Sequence, residues 1–391
     1  MSEWKKVKLG DIIDIKHGYA FSGEHIIEED NDIVLVTPGN FRIGGGFQER
    51  KCKYYDGEIP QDYILKSGDF IVTMTDLSKT IDTLGYSALV PVSSQRKYLH
   101  NQRIGLVRFK NDSCDKGFIY WLMRTRSYQR EIANTSTGAT VHHTSPSKIC
   151  DFEFDAPPIS MQHRIATILS RYDSLIENYQ KQIKLLEEAA QRLYKEWFVD
   201  LHFPGHENTK IVDGVPERWE KKKVGDITPI KTGKKDANFG TSDGAYPFFT
   251  CSQEPIKAPS YSFDTSAVIL AGNGDFNVKL YRGKFEAYQR TYVLEPTNEK
   301  MLYLLYFCIS ENMNRLATGA SGSTIKFLTK GMIESLVIIE PSICVLDSFN
   351  QIIEPIRTQK ENLQSQIRLL TEARDRLLPK IMSGEIEFNF K

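Results

Sequence analysis

The residues of this chain best equipped for chemistry are basic ones set among aromatics. From Arg96 to Arg130 there are nine (Arg96, Lys97, Arg103, Arg108, Lys110, Lys116, Arg124, Arg126 and Arg130) against two acids, Asp112 and Asp115. Tyr98, Phe109, Tyr120, Trp121 and Tyr128 lie between them. A second stretch carries Lys221, Lys222, Lys223, Lys231, Lys234 and Lys235 against Glu220 and Asp226. Clustered cations suit a polyanion. Taken singly, each run reads better as a solvated face; its occurrence twice shifts the balance towards polyanion binding.

Groups that make or break bonds are not in evidence. No GxGxxG, Walker lysine loop, HExxH or GxSxG occurs, and Gly272-Asn273-Gly274 is an isolated turn. Asp155-Ala156-Pro157-Pro158 is out of register for an amino-methyltransferase D-P-P-Y motif, because of Ala156 and the missing aromatic. His142 and His143 are adjacent, so their side chains seldom converge on one ion; they read as polar loop residues beside a ligand surface. Cys52, Cys114, Cys150, Cys251, Cys308 and Cys344 show neither a CxxC half-site nor a disulfide framework, so reduced, mostly buried thiols are expected. These absences point to a recognition protein without catalysis or metal.

The 391 residues suffice for two to three domains. Basic and acidic residues balance at 50 each, which excludes a uniformly basic coat but not a local patch. The longest apolar run, Met301 to Ile309, is far short of the about 20 residues of a membrane span, and MSEWKKVKLG has no apolar run of a secretory signal. A cytoplasmic protein with no membrane partner is expected.

The chain repeats itself. Trp4, Gly10, Asp11, Ile12, Ile15, Lys16 and Gly18 return 215 positions later as Trp219, Gly225, Asp226, Ile227, Ile230, Lys231 and Gly233. A second block returns at an offset of 184. Gly138 and Thr140 become Gly322 and Thr324, Pro157 becomes Pro341, and E-N-Y-Q-K-Q-I-K-L-L from Glu177 becomes E-N-L-Q-S-Q-I-R-L-L from Glu361. The frames match, while the interiors differ by 31 residues and share only the island Gln102-Arg103 and Gln289-Arg290. Two copies of one module doing the same job on different targets fit this better than uniform drift.

Each copy ends in helical periodicity. Ile165, Ile168, Tyr172, Tyr179, Ile183, Leu186 and Leu193 form an apolar seam, and Ile352, Ile356, Leu363, Ile367, Leu370 and Leu377 form its counterpart, interrupted by Lys360 and Arg374. Ser160 is expected to cap the first helix, and Pro379 to bend or end the second early. About 36 residues give a rod of ~54 Å. The expected fold is α+β: two mixed α/β domains separated by an antiparallel coiled coil of two long helices, with a pseudo-two-fold internal repeat. The expected divisions are 1–159 and 218–342 for the domains, 160–200 and 343–384 for the helices, 201–217 for a linker and 385–391 for a tail. Strands are expected at Ile33 to Thr37, Phe70 to Met74, Gly105 to Phe109, Ala267 to Ala271, Thr291 to Leu294 and Leu336 to Ile339, with helices at Gly117 to Ala133 and Lys300 to Ala317.

In order, Trp4…Leu9-Gly10-Asp11, Gly138-Ala139-Thr140, Pro157-Pro158…Gln162-His163-Arg164-Ile165 and the terminal Arg374 to Ile386 resemble the specificity subunit of type I restriction–modification systems. The resemblance spans nearly the whole chain, although Pro341-Ser342 lacks the Q-x-x-I step that follows Pro157-Pro158. It implies that each target recognition domain reads half of a bipartite double-stranded DNA site. The coil would set the spacer and dock methyltransferase subunits. S-adenosylmethionine, ATP and magnesium would sit on those and on restriction/translocase subunits, with no cofactor on this chain. Candidate DNA-binding residues are then Arg42, Lys79, Gln102, Arg103 and Thr140 in the first module. In the second they are Asn273, Lys279, Arg282, Gln289, Arg290, Thr324 and Lys326. The repeated Gln-Arg pair fits phosphate contact or framework better than base discrimination. The alternatives are a two-module scaffold for another polyanion or protein partner, and an enzyme with an unfamiliar motif.

Overall fold

Each half of the chain opens by pairing its first strand with its last. In a computed structural model, which describes residues 4–50, 52–322 and 326–386, Lys5–Lys8 runs antiparallel to Glu153–Ala156, and Glu220–Lys223 to Val337–Glu340. The N–H of Leu9 donates to Phe152 O and that of Val224 to Leu336 O, both at 2.8 Å. One-turn helices follow, Leu9–Ile12 and Val224–Ile227, and pack on Pro146–Cys150 and Lys330–Glu334. The latter two are N-capped alike: Ser145 Oγ accepts from Lys148 N, and Thr329 Oγ1 from Met332 N. The repeated frame is therefore a shared scaffold.

The interiors differ in architecture. The first module has a four-stranded antiparallel sheet in the order Ile13–His17, Ile104–Phe109, Phe70–Thr73, Ser87–Leu89. It adds a five-stranded sheet containing a parallel pair, Ile33–Val36 with Lys97–His100. The second module builds one six-stranded sheet around the hairpin Phe263–Ala271 and Val278–Ala287. The expected strands are all found, with ends shifted by a few residues. Both expected helices are broken. Thr125 caps a new start after Lys116–Leu122, and a kink at Asn312 separates Leu302–Glu311 from Met313–Gly319.

Two long helices, Ile159–Phe198 and Ile343–Met382, stand 184 positions apart at both ends. At 40 residues each, they are about 60 Å long. The first starts at Ile159, so Ser160 lies within it and is not its cap. Leu346, 1% exposed, takes the place that Gln162 holds in the first copy, so the missing Q-x-x-I step leaves the helix start unaltered. Pro379 does not end the second helix. Burial of Leu378 and Ile381 in the first module's core compensates for the one hydrogen bond it removes.

The chain divides into two compact units, residues 1–179 with 366–391, and residues 180–365. Each takes one module and a piece of both helices. In the first unit Ile165, Leu169, Leu378 and Ile381 share a core with Phe118, Trp121 and Ile149. In the second, Tyr194, Trp197, Phe198, Phe349 and Ile353 share one with Phe203, Trp219 and Leu302. Ile352 departs from the expected seam: it is 42% exposed, and its neighbour Ile353 is buried instead. Among the described residues no helix is long and apolar enough to cross a membrane.

Candidate nucleic-acid interface

In the first unit three connections meet at Met74. Its N–H donates to Arg103 O (2.9 Å), and its carbonyl accepts from Thr144 N (3.0 Å). The Gln102-Arg103 turn thus lies on one side, and the hairpin 137–143, closed by reciprocal bonds between Thr137 and His143, on the other. The third connection, 74–86, leaves between them. It begins by pairing Thr75–Asp76 with His142–His143, where His143 Nδ1 stands 3.1 Å from Thr75 Oγ1. Lys79, Gln102, Arg103 and Thr140 are exposed on these connections, so four of the five first-module candidates come together.

Asp76 organises the third connection. It is 2% exposed and accepts from Ser78 N (2.6 Å), Thr83 N (2.6 Å), Thr83 Oγ1 (2.7 Å) and Leu84 N (3.1 Å). Burial alone would raise its pKa; the bonds from Ser78 and Thr83 outweigh that and hold the carboxyl below the usual range. Gln129 Nε2 donates to Ile81 O at 2.6 Å, which fixes the far side of the loop. Lys79 is therefore carried on a preformed loop. The sequence offered no signal for this, because one Asp after two Thr residues looks like any turn.

The second unit repeats the bonding. Gly272 takes the place of Met74: its N–H donates to Arg290 O (2.9 Å) and its carbonyl accepts from Leu328 N (2.8 Å). Ser321 and Phe327 exchange the same pair of backbone bonds as Thr137 and His143. Asn273, Gln289, Arg290 and Lys326 are gathered here, beside an open cleft of about 490 Å³ lined by Arg290, Tyr292, Phe327 and Lys330. Thr324 lies outside the described residues. The connecting loop is the short segment 272–277, where Cys251 Sγ donates to Asn273 Oδ1 at 2.8 Å.

Both Gln-Arg turns depend on a glycine. A Cβ on Gly18 would fall inside the contact distance of Asn101 O, and one on Gly233 inside that of Ala287 O. Only glycine lets the preceding strand pass this close, which accounts for its return in the repeat.

Three candidates have other work. Arg282 Nη1 pairs with both carboxylate oxygens of Glu354 on the second long helix, at 3.0 and 3.1 Å, and its guanidinium lies over the Tyr303 ring. Arg42 is half-buried and faces Asp173 and Glu177 of the first long helix; burial lowers its pKa and those carboxylates oppose the shift. Arg282 thus fastens its module to a helix, and Arg42 is half-buried in the field of two helix carboxylates. Lys279 donates to Ser252 O (2.8 Å) and to Asn277 Oδ1, which ties down the loop beside Asn273. Basic residues in a half-buried strand or turn look alike in sequence whether they face phosphate or carboxylate.

The family described as type I restriction modification DNA specificity domain matches residues 1–188 and 216–362. The chain belongs to this family of DNA specificity domains. It is 37% identical over 176 residues to the EcoDI specificity subunit of a type I restriction enzyme from Escherichia coli, a match covering 44% of this chain and 39% of that one. It is 27% identical over 303 residues to the MjaIX specificity subunit from Methanocaldococcus jannaschii, covering 70% of each. The chain thus matches well under half the length of the first relative and about two thirds of the second. The crystal structure of a type I restriction–modification S subunit from M. genitalium aligns over 97% of this chain and 96% of its own with a TM-score of 0.59. At 17% identity it is the specificity-subunit fold that is shared. Among the described residues no group of His, Cys, Asp and Glu side chains is arranged to hold a metal.

Proposed function

We propose that this type I specificity subunit reads a split double-stranded DNA sequence, one half with each module. Residues 1–159 and 218–342 would act as the two target recognition domains. The observation that carries this is the bonding around Met74 and Gly272: the same three connections are brought together twice, on interiors of unlike architecture. Repeated bonds fit a shared backbone-binding role for Arg103 and Arg290. The dissimilar loops, 74–86 and 272–277, fit the reading of different bases.

The two long helices form an antiparallel coiled coil in this reading. Lys360 Nζ lies 2.6 Å from Glu187, and Arg374 Nη1 lies 2.5 Å from Asp173. A step of 14 residues along one helix is matched by 14 residues backwards along the other, the register of antiparallel rods. The pair would set the spacer between half-sites and dock methyltransferase subunits. Those subunits and the restriction/translocase subunits would bring S-adenosylmethionine, ATP and magnesium, while this chain supplies the address and no bond-making group.

The test is methylation mapping of host DNA with and without the gene, joined to gel shifts of the chain with its methyltransferase partner. One split adenine-methylated motif that disappears with the gene, and a salt-sensitive complex that sharpens on that motif, are expected. No DNA affinity with or without the partner would overturn the proposal and favour a scaffold for another ligand.

A further inference from the structure

Asp173, on the first long helix, pairs with both the first module and the second long helix. Its Oδ2 lies 2.5 Å from Arg124 Nη1 of the module, and its Oδ1 lies 2.5 Å from Arg374 Nη1 of the second helix. The three side chains are 22%, 3% and 12% exposed. Arg124 is aimed before it reaches the carboxylate. Its guanidinium lies 4.1 Å from the Trp121 ring centroid, Nε donates to Gly44 O (2.9 Å), and Nη1 donates to Tyr120 OH (3.0 Å). Gly45, at φ +83°, makes room, since a Cβ there would stand 2.5 Å from Arg124 Cγ. Trp121 Nε1 adds a second tie to the same helix through Ser170 Oγ at 3.1 Å.

Burying two guanidiniums around one carboxylate is a poor way to gain stability, because apolar side chains of similar volume hold elements together as well or better. The ion pairs add direction: a charged fork accepts one rotation and one axial position, where an apolar face slides. The second unit also fastens its module to a long helix, the second one, through charged groups in a different arrangement. Arg357 stands at the position equivalent to Asp173, and the carboxylate is Glu354, held by Arg282 and Tyr303. Keeping a charged dock while changing its residues is what a requirement for fixed orientation would produce.

We infer that Asp173 is a positioning residue that locks the first module in one orientation on the helix pair, and so restricts the chain to one DNA spacer length. The inference rests on the split-site reading above.

The test uses the full chain assembled with its methyltransferase subunits, on a plasmid library in which both half-sites are fixed and the spacer varies by up to three base pairs either way. Wild type is expected to prefer one length about tenfold or more over its neighbours. D173N keeps the side chain's shape and removes its charge. It is expected to bring the neighbouring lengths to within about threefold while both half-site sequences stay the same. R374Q, measured in parallel, removes only the arm to the second helix and should broaden the spacer less. A folded D173N with wild-type sharpness overturns the inference, and so does a changed half-site. Loss of a cooperative melt in both variants also overturns it, since the node would then serve stability alone. If wild type shows no spacer preference at all, it is the split-site reading that fails.

Discussion

At the scale of single residues, the proposed interface depends on groups that are buried or half-buried behind it. Gly18 shows this most directly. Replacing it with Ala must push the strand end away from Asn101 and carry the Gln102-Arg103 turn with it. G18A is expected to cost roughly 2–4 kcal/mol, the range for backbone-incompatible substitutions, and to weaken binding at the first half-site only. Thermal melts and half-site competition would measure the two effects, and G233A should act on the other half-site. His100, just before the same turn, predicts a pH dependence. It is 1% exposed, and one ring nitrogen, Nε2, pairs with Ile104 O at 2.9 Å. Burial pushes its pKa down to about 4 from an ordinary 6.5. The folded state therefore binds the proton less readily than the unfolded one. The stabilisation is complete above pH 6.5 and is lost as pH falls towards 4, amounting to about 2 kcal/mol by pH 5. Denaturant melts of wild type should show that loss between pH 7 and 5, and melts of H100Q should show a smaller slope. The glycine was legible in the sequence because its neighbours repeat with it. The histidine was not, since nothing local tells a buried His from an exposed one.

At the scale of elements, the sequence was most informative where it was most regular. The seam of the first helix and the offset of 184 place both long helices to within two residues at each end. Its irregularities proved to be contacts. Lys360 and Arg374, which interrupt the second seam, are the residues that reach Glu187 and Asp173 on the first helix. The Ile352 assignment failed because two adjacent isoleucines satisfy the period equally, and only the packed module decides that Ile353 faces inward. The ion pairs constrain any attempt to change the proposed ruler. Four residues inserted near Glu187 alone would move that pair out of register with Asp173–Arg374. Four inserted in each helix, between the two pairs, would keep both and add about 6 Å. The expected outcome is a longer preferred spacer, by about two base pairs at ~3.4 Å each, with both half-sites unchanged. Methylation of a spacer library by the assembled complex measures it, and altered half-sites with an unaltered spacer would refute the ruler.

For the whole molecule, the decisive property is a net charge of zero. A chain without overall positive charge gains little long-range attraction to a polyanion, so the DNA affinity proposed for it would have to come from the two places where cations are gathered. The sequence showed that such places exist and that they come in a pair. It did not show which cations are free, because Arg282 and Lys279 are held by this chain's own oxygens and Arg42 is half-buried, while Arg103 and Arg290 stand exposed on the turns. That division predicts how binding responds to salt. Each phosphate contact contributes about −0.9 to the slope of log K against log salt on duplex DNA. R103Q and R290Q should each reduce the slope by about one and leave the preferred bases unchanged, while the double variant should reduce it by about two. R282Q should leave the slope as it is, since its charge is already paired with Glu354. Titrations of the assembled complex at several salt concentrations, on the mapped site and on one with a single altered half, separate these outcomes. A change of base preference in R103Q would mean that the repeated turn reads sequence. An unchanged slope would mean that it does not touch the backbone, and the polyanion face would then have to lie elsewhere on each module.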